Sequence, residues 1–378
     1  MRLLPLLVPL ALTVPGCVPA GSQTPPPNVV AQAEVRDERE LIVLTKPPAD
    51  TLIQEAEALG YELRAVHPLD ELGDMLVVFR IPEGRTIAEA IEETERAVPG
   101  VTAGAHHLYR IQSTLPADHD YATALIGWPE GGCRALRRVG LIDAGVAPGH
   151  PALSDGRVAQ ERFVPGEAPP STSHGTLMAE LLVGPGKLRD TTVYSAVVVD
   201  PVANGGDAAG VTSILRSINW MRGEGVELVN ISLAGPRNKL MNRALGQASE
   251  DGMILVAAAG NLGPTAPPQY PAAFPFSLAV TAVDREGAVY RRAVQGDHID
   301  VAAPGVDILI SSEGRLRVSS GTSVAAPFVT AVLAADPALS AEDVGTVRDK
   351  LLQRTVDLGQ PGPDETYGAG LISAPPDC

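Results

Sequence analysis

Aromatic side chains are scarce in this chain, with two Trp, seven Tyr and five Phe among 378 residues. Its core must therefore rest on small, close-packed side chains, which suits helices lying tightly on a sheet. Basic residues are also few, 29 Lys and Arg against 45 Asp and Glu, for a net charge of −16. No basic cluster is dense enough to neutralise phosphates, which argues against nucleic acid as a partner. The acidity serves solubility and identifies no partner. The N-terminal apolar run, Leu3 to Val14, contains Pro5 and Pro9 and falls short of the about 20 residues that cross a bilayer.

What that run does resemble is a cleaved export signal: one Arg, an apolar stretch, then small residues. Two cleavage sites compete. "VPGC" resembles a lipobox, which would make Cys17 a lipidated first residue and anchor the chain to a membrane, although Pro15 fits that motif poorly. "VPA", ending at Ala20, resembles an ordinary signal-peptidase site. Residues 1–20 thus read as a signal and 21–40 as a Pro-rich linker. Beyond Cys17, only Cys133 and Cys378 remain. In an oxidising compartment they can form a bridge, the alternative being two free thiols.

Residues 41–112 read as a small compact unit. "ELIVLT" is a strand, "ADTLIQEAEALG" a helix, "YELRAV" and "DMLVVFRI" strands, "TIAEAIEETERAV" a helix and "AHHLYRI" a last strand. That order predicts an α+β, ferredoxin-like unit. It holds no clustered nucleophile, base or metal ligands. His106 and His107 are neighbours in a strand and face opposite sides, which argues against a shared metal.

A polar connector, 113–135, precedes a second unit, 136–378. There "RRVGLID", "TVYSAVVVD", "VELVNISL", "GMILVAAAG" and "FSLAVTAV" alternate with helical segments. Continuously apolar strands predict a parallel α/β sheet buried on both faces. Binding sites in such sheets lie beyond the carboxyl ends of the strands. Asp143 ends one strand, Asn261 follows another, His174 opens a helix, and Ser323 opens the helix of "SSGTSVAAPFV" with Pro327 in its first turn. Each has an ordinary role to play alone, as a cap, a turn or a structural histidine. Together they have a mechanism: Ser323 attacks an acyl carbon, His174 takes its proton, and Asp143 orients the imidazole.

These segments resemble the subtilisin-like serine protease family (peptidase S8). "GLIDAGVAPGHPAL", "SHGTLMAELLVG" and "SSGTSVAAPFVTAVLA" match its Asp, His and Ser motifs, and "LVNISLAGP", "VAAAGNLG", "IDVAAPG" and "TYGAGLISA" match stretches between and after them. The resemblance implies a subtilisin-like parallel sheet with helices on both faces. It implies Ser323 as nucleophile, His174 as general base and acid, Asp143 as its orienter and Asn261 as an oxyanion donor. It further implies Ser232, Leu233, Ala234 and Gly235 as a strand that binds extended substrate. The first unit's place in the chain resembles a propeptide, an intramolecular inhibitor and folding aid, with an independent binding module as the alternative. Ala144 departs from the hydroxyl residue usual after the family's aspartate, and Ala234 from a usual glycine. No organic cofactor or metal is needed for such chemistry. Calcium belongs to some relatives, but no stretch here has the spacing of a calcium loop. The expectation is an exported, self-processed serine endopeptidase acting on polypeptides, with a peptide-binding, non-cleaving relative as its rival.

Overall fold

The computed structural model describes residues 35–111, 121–153, 156–166, 169–201, 206–312, 315–339, 344–351, 353–376 and 378. The signal with Cys17, most of the linker, Gln112 and connector residues 113–120 lie outside this set.

In the N-terminal unit, β1 (Glu40–Thr45), α1 (Asp50–Ala58), β2 (Glu62–Leu69), β3 (Asp74–Arg80), α2 (Ile87–Ala97) and β4 (Thr102–Ala105) follow in the ferredoxin-like order. The antiparallel sheet runs β2-β3-β1-β4. Thr86 starts α2 with a capping box, accepting from the Glu89 N–H while the Glu89 carboxylate accepts from the Thr86 N–H. Alternation along β1 divides its side chains between two cores. Leu41 and Val43 pack with residues of the unit's own helices. Ile42 and Leu44 pack with residues of the second unit.

"AHHLYRI" is not one strand. It breaks at His106–His107, and β5 (Leu108–Ile111) leaves its parent sheet. Opposite contacts enforce the break. The His106 ring pairs with Glu40, while His107 Nδ1 accepts from Asn238 Nδ2 at 3.0 Å. The Ala105 carbonyl also accepts from Asn238 Nδ2, at 3.0 Å.

The second unit is built on β6 (Val139–Asp143), β7 (Val158–Arg162), α3 (Ser173–Val183), β8 (Val193–Val197), β9 (Asp207–Gly210), α4 (Val211–Gly223), β10 (Leu228–Ile231), β11 (Leu233–Ala234), α5 (Lys239–Glu250), β12 (Ile254–Ala258), β13 (Ser277–Val283), β14 (Val301–Pro304), α6 (Thr322–Ala335) and β15 (Leu371–Ile372). The sheet order is β15-β14-β13-β12-β10-β6-β8-β7, all parallel, with Thr355–Val356 antiparallel at the β15 edge. Its two faces are separate cores. Leu141, Val256 and Leu278 pack with residues of α3 and α6. Ile142, Leu255 and Ala279 pack with residues of α4 and α5. The chain order reverses beside β6, so the carboxyl end of that strand, Asp143, lies at a topological switch point.

Candidate active site

Asp143 is fully buried at the end of β6, and His174, the second residue of α3, is nearly so. Their contact depends on Gly175, whose backbone abuts the Asp143 loop so closely that a Cβ would stand 2.1 Å from the Ala144 carbonyl oxygen. His174 Nδ1 lies 2.7 Å from Asp143 Oδ1. A carboxylate only accepts, so Nδ1 carries the proton and the neutral ring presents the Nε2 lone pair on its other side. That Nε2 lies 3.3 Å from Ser323 Oγ, slightly long for a hydrogen bond. Asp143 Oδ1 also accepts from the Ala144 N–H at 2.6 Å. Asp143 Oδ2 is buried with no hydrogen-bond partner among the described residues, in keeping with the missing hydroxyl at position 144.

Ser323 is the second residue of α6, where backbone donors and the positive end of the helix dipole converge. Asn261, just past β12, is joined to the same turn. Its Oδ1 accepts from the Thr322 N–H at 3.1 Å and from Thr322 Oγ1 at 3.0 Å, which turns its Nδ2 donor away from Thr322. Thr322 Oγ1 in turn accepts from the Gly260 N–H at 3.0 Å. The structure thus brings Asp143, His174, Ser323 and Asn261 to one place from four elements. Pro327, expected in the first turn, is instead the sixth residue of α6. The reason is that the helix starts at Thr322, earlier than a cap at Ser323 would place it.

Leu233 and Ala234 form β11, and β5 of the N-terminal unit pairs with it antiparallel, Leu233 with Ile111 and Ala234 with Arg110. On its other side β5 pairs antiparallel with β9, Tyr109 with Ala209 and Leu108 with Gly210. Tyr109 is fully buried, and its hydroxyl donates to the Pro236 carbonyl at 3.0 Å. Burial lifts its phenol pKa well above the ordinary range. The ring lies on Gly235, where a Cβ would come within 2.6 Å of it. Gly235 itself pairs with Tyr270 rather than continuing β11. Ser232 does not sit on the strand; its Oγ donates to the Ser323 carbonyl at 3.2 Å. The two units are further joined by Arg243 to Asp74 (2.8 Å) and Lys239 to Glu95, and Arg36 of the linker pairs with Asp200 (3.2 Å).

Two participants escaped the sequence reading. Thr322 was hidden inside the serine motif, and Asn230 inside a buried strand. The signal for Asn230 was an amide in an otherwise apolar run, "ELVNISL". Cys133 and Cys378 are joined as a disulfide, with Cα atoms 5.0 Å apart. Among the described residues no group of three or more His, Cys, Asp or Glu is gathered to hold a metal ion.

A family model described as the subtilase family matches residues 137–370. The chain is 31% identical over 253 residues to subtilisin DY of Bacillus licheniformis, covering 62% of this chain and 88% of that protein. It is 29% identical over 248 residues to the minor extracellular protease Epr of Bacillus subtilis (strain 168), covering 62% of this chain but only 37% of Epr. Among solved structures, fervidolysin from Fervidobacterium pennivorans, a keratinolytic enzyme related to subtilisin, superposes with a TM-score of 0.72 at 22% identity, covering 90% of this chain and 61% of that one. That likeness is one of fold. The family match spans well over half of the chain, and by it this protein belongs to the subtilase family of subtilisin-like serine peptidases.

Proposed function

We infer that the protein is an exported serine endopeptidase that hydrolyses polypeptides through an acyl-enzyme on Ser323. The observation that carries this reading is the chain of contacts from Asp143 through His174 to the Ser323 hydroxyl. In the reaction Ser323 Oγ attacks the scissile carbonyl carbon as His174 Nε2 takes its proton. Asp143 holds the tautomer and stabilises the resulting imidazolium. The oxyanion forms between the backbone N–H of Ser323 and Nδ2 of Asn261, two buried residues, and donors act most strongly away from bulk water. The imidazolium then protonates the leaving amine, and water repeats the sequence to release the acid. No metal enters these steps.

The N-terminal unit acts as an intramolecular inhibitor. Its β5 lies along β11 as an extended substrate would, pairing by backbone and leaving selection to pockets such as the one filled by Tyr109. Self-cleavage within the connector, 113–135, would release the unit. Export is supported by the signal-like N-terminus, by the disulfide and by the extracellular relative. Lipid attachment at Cys17 would keep the exported protein at a membrane.

The second reading, a subtilase that binds extended peptides without cleaving them, is favoured by the unpartnered Asp143 Oδ2. Hydrolysis of reduced casein by the full chain and by its Ser323→Ala variant separates the two. The peptidase reading expects fragments from the wild type alone. Intact casein with both chains would favour the binder.

A further inference from the structure

Pro327 stands four residues after Ser323 inside α6. In a helix the carbonyl of residue i accepts from the N–H of residue i+4, and proline has no N–H to give. The helix therefore cannot supply the Ser323 carbonyl with its regular donor. The residue that joins β10 to β11 does. Ser232 Oγ donates to that carbonyl at 3.2 Å. Asn230 Nδ2 donates to Ser232 Oγ at 2.8 Å, and Thr330 Oγ1 donates to Asn230 Oδ1 at 3.1 Å. Asn230, Ser232, Ser323 and Thr330 are all fully buried, out of reach of bulk water.

The proton inventory gives the relay a direction. A hydroxyl has one proton. Because Ser232 Oγ receives the Asn230 amide, its own proton is committed to the Ser323 carbonyl. The Asn230 amide oxygen faces the Thr330 hydroxyl at 3.1 Å, whose one proton is divided between it and the Ala326 carbonyl at 3.0 Å. The relay leaves α6 at Thr330, crosses to β10 and returns to α6 at the nucleophile. Ser232 immediately precedes β11, the strand along which β5 lies.

We propose that Asn230 and Ser232 are positioning residues that replace the N–H missing at Pro327, locking the backbone of Ser323 to the strand that binds substrate. The proline is part of the device. By withholding the intrahelical donor it leaves the carbonyl to the strand, so nucleophile and peptide backbone share one frame. This rests on the peptidase reading of Ser323.

The test is a mutational cycle in the full chain, read as kcat and KM on an extended peptide together with labelling of Ser323 by an aryl sulfonyl fluoride. Ser232→Ala removes the donor to a buried carbonyl, so kcat is expected to fall roughly 10- to 100-fold, with KM changed by less than about threefold. Asn230→Ala is expected to lower kcat similarly, and to add little when Ser232→Ala is already in place. The deciding variant is Ser232→Ala/Pro327→Ala. The Pro327→Ala change restores an N–H four residues after Ser323, and most of the lost kcat and labelling rate is expected to return. A merely structural or substrate-contacting Ser232 would gain nothing from an amide at position 327. A double variant no faster than Ser232→Ala overturns the proposal, as does a loss confined to KM. A wild type that neither cleaves peptide nor takes the label removes the peptidase reading, and the proposal with it.

Discussion

The central sheet delivers side chains to the site, whereas the N-terminal sheet delivers a length of backbone. Asp143, His174, Asn261 and Ser323 arrive from the ends of strands and starts of helices, each fixed by its own local structure. The N-terminal unit contributes no acid, base or nucleophile. It reaches the cleft only because β4 ends at Ala105 and β5 crosses to pair with β9 and β11. On the proposed reading, chemistry is tied to residue identity, and inhibition to register and one buried ring. Substitutions in the first region should change rate, and those in the second should change release.

The largest effect belongs to the first region. Ser323→Ala should remove peptide hydrolysis, a loss of about a millionfold in kcat, the size the corresponding change takes in subtilisin itself. Steady-state assays on unfolded protein would show it, and residual activity near wild type would break the distinction. Asn261→Ala should cost about 100- to 1,000-fold in kcat with little change in KM, again a magnitude taken from subtilisin.

The disulfide sharpens the contrast by stability. It ties Cys133, at the end of the connector, to Cys378 of the second unit across a separation of 245 residues. Cys133→Ser should lower stability by about 2–5 kcal/mol. Denaturant unfolding should show this loss in the second unit and leave the first unchanged.

Tyr109 tests the second region directly. Tyr109→Ala empties a buried site and should weaken retention of the cleaved N-terminal unit by roughly a hundredfold. Tyr109→Phe, which loses only the bond to Pro236, should weaken it about fivefold. Activity appearing on dilution after self-cleavage measures both. Unchanged retention in Tyr109→Ala would mean that the tail does not hold the unit.

The smallest effect is one of pH. Burial, and then the charge of His106, hold His107 below the ordinary imidazole value. The released tail, titrating near about pH 6.5, takes up its proton first as pH falls. Docking should therefore be level above that pH and weaken below it, down to the docked pKa. Comparing dilution-induced activity at pH 7.5 and 5.5 checks the sign, and His107→Gln should flatten the dependence.

How far each region could be read in advance follows the same division. The apolar runs "VGLID" and "ILVAA" are legible because a doubly buried parallel strand tolerates nothing else. The edge strand "VAQER" is not, since an edge is only partly buried and can be polar. Asp143, His174 and Ser323 were legible because each sits in a local motif. The fate of "AHHLYRI" was not, because its register is set by partners more than 90 residues away, near Ala208–Gly210 and Leu233–Ala234. Pro327 was visible, but its consequence depends on where α6 begins and on Ser232 beneath it.

The most direct measurement is the intact mass, over time, of the chain beginning near Ser22, beside its Ser323→Ala variant. A nucleophilic Ser323 predicts that the wild type loses about its first hundred residues, with a new terminus in the connector, while the variant stays whole. A wild type that stays whole, or a variant cleaved at the same rate, would contradict it.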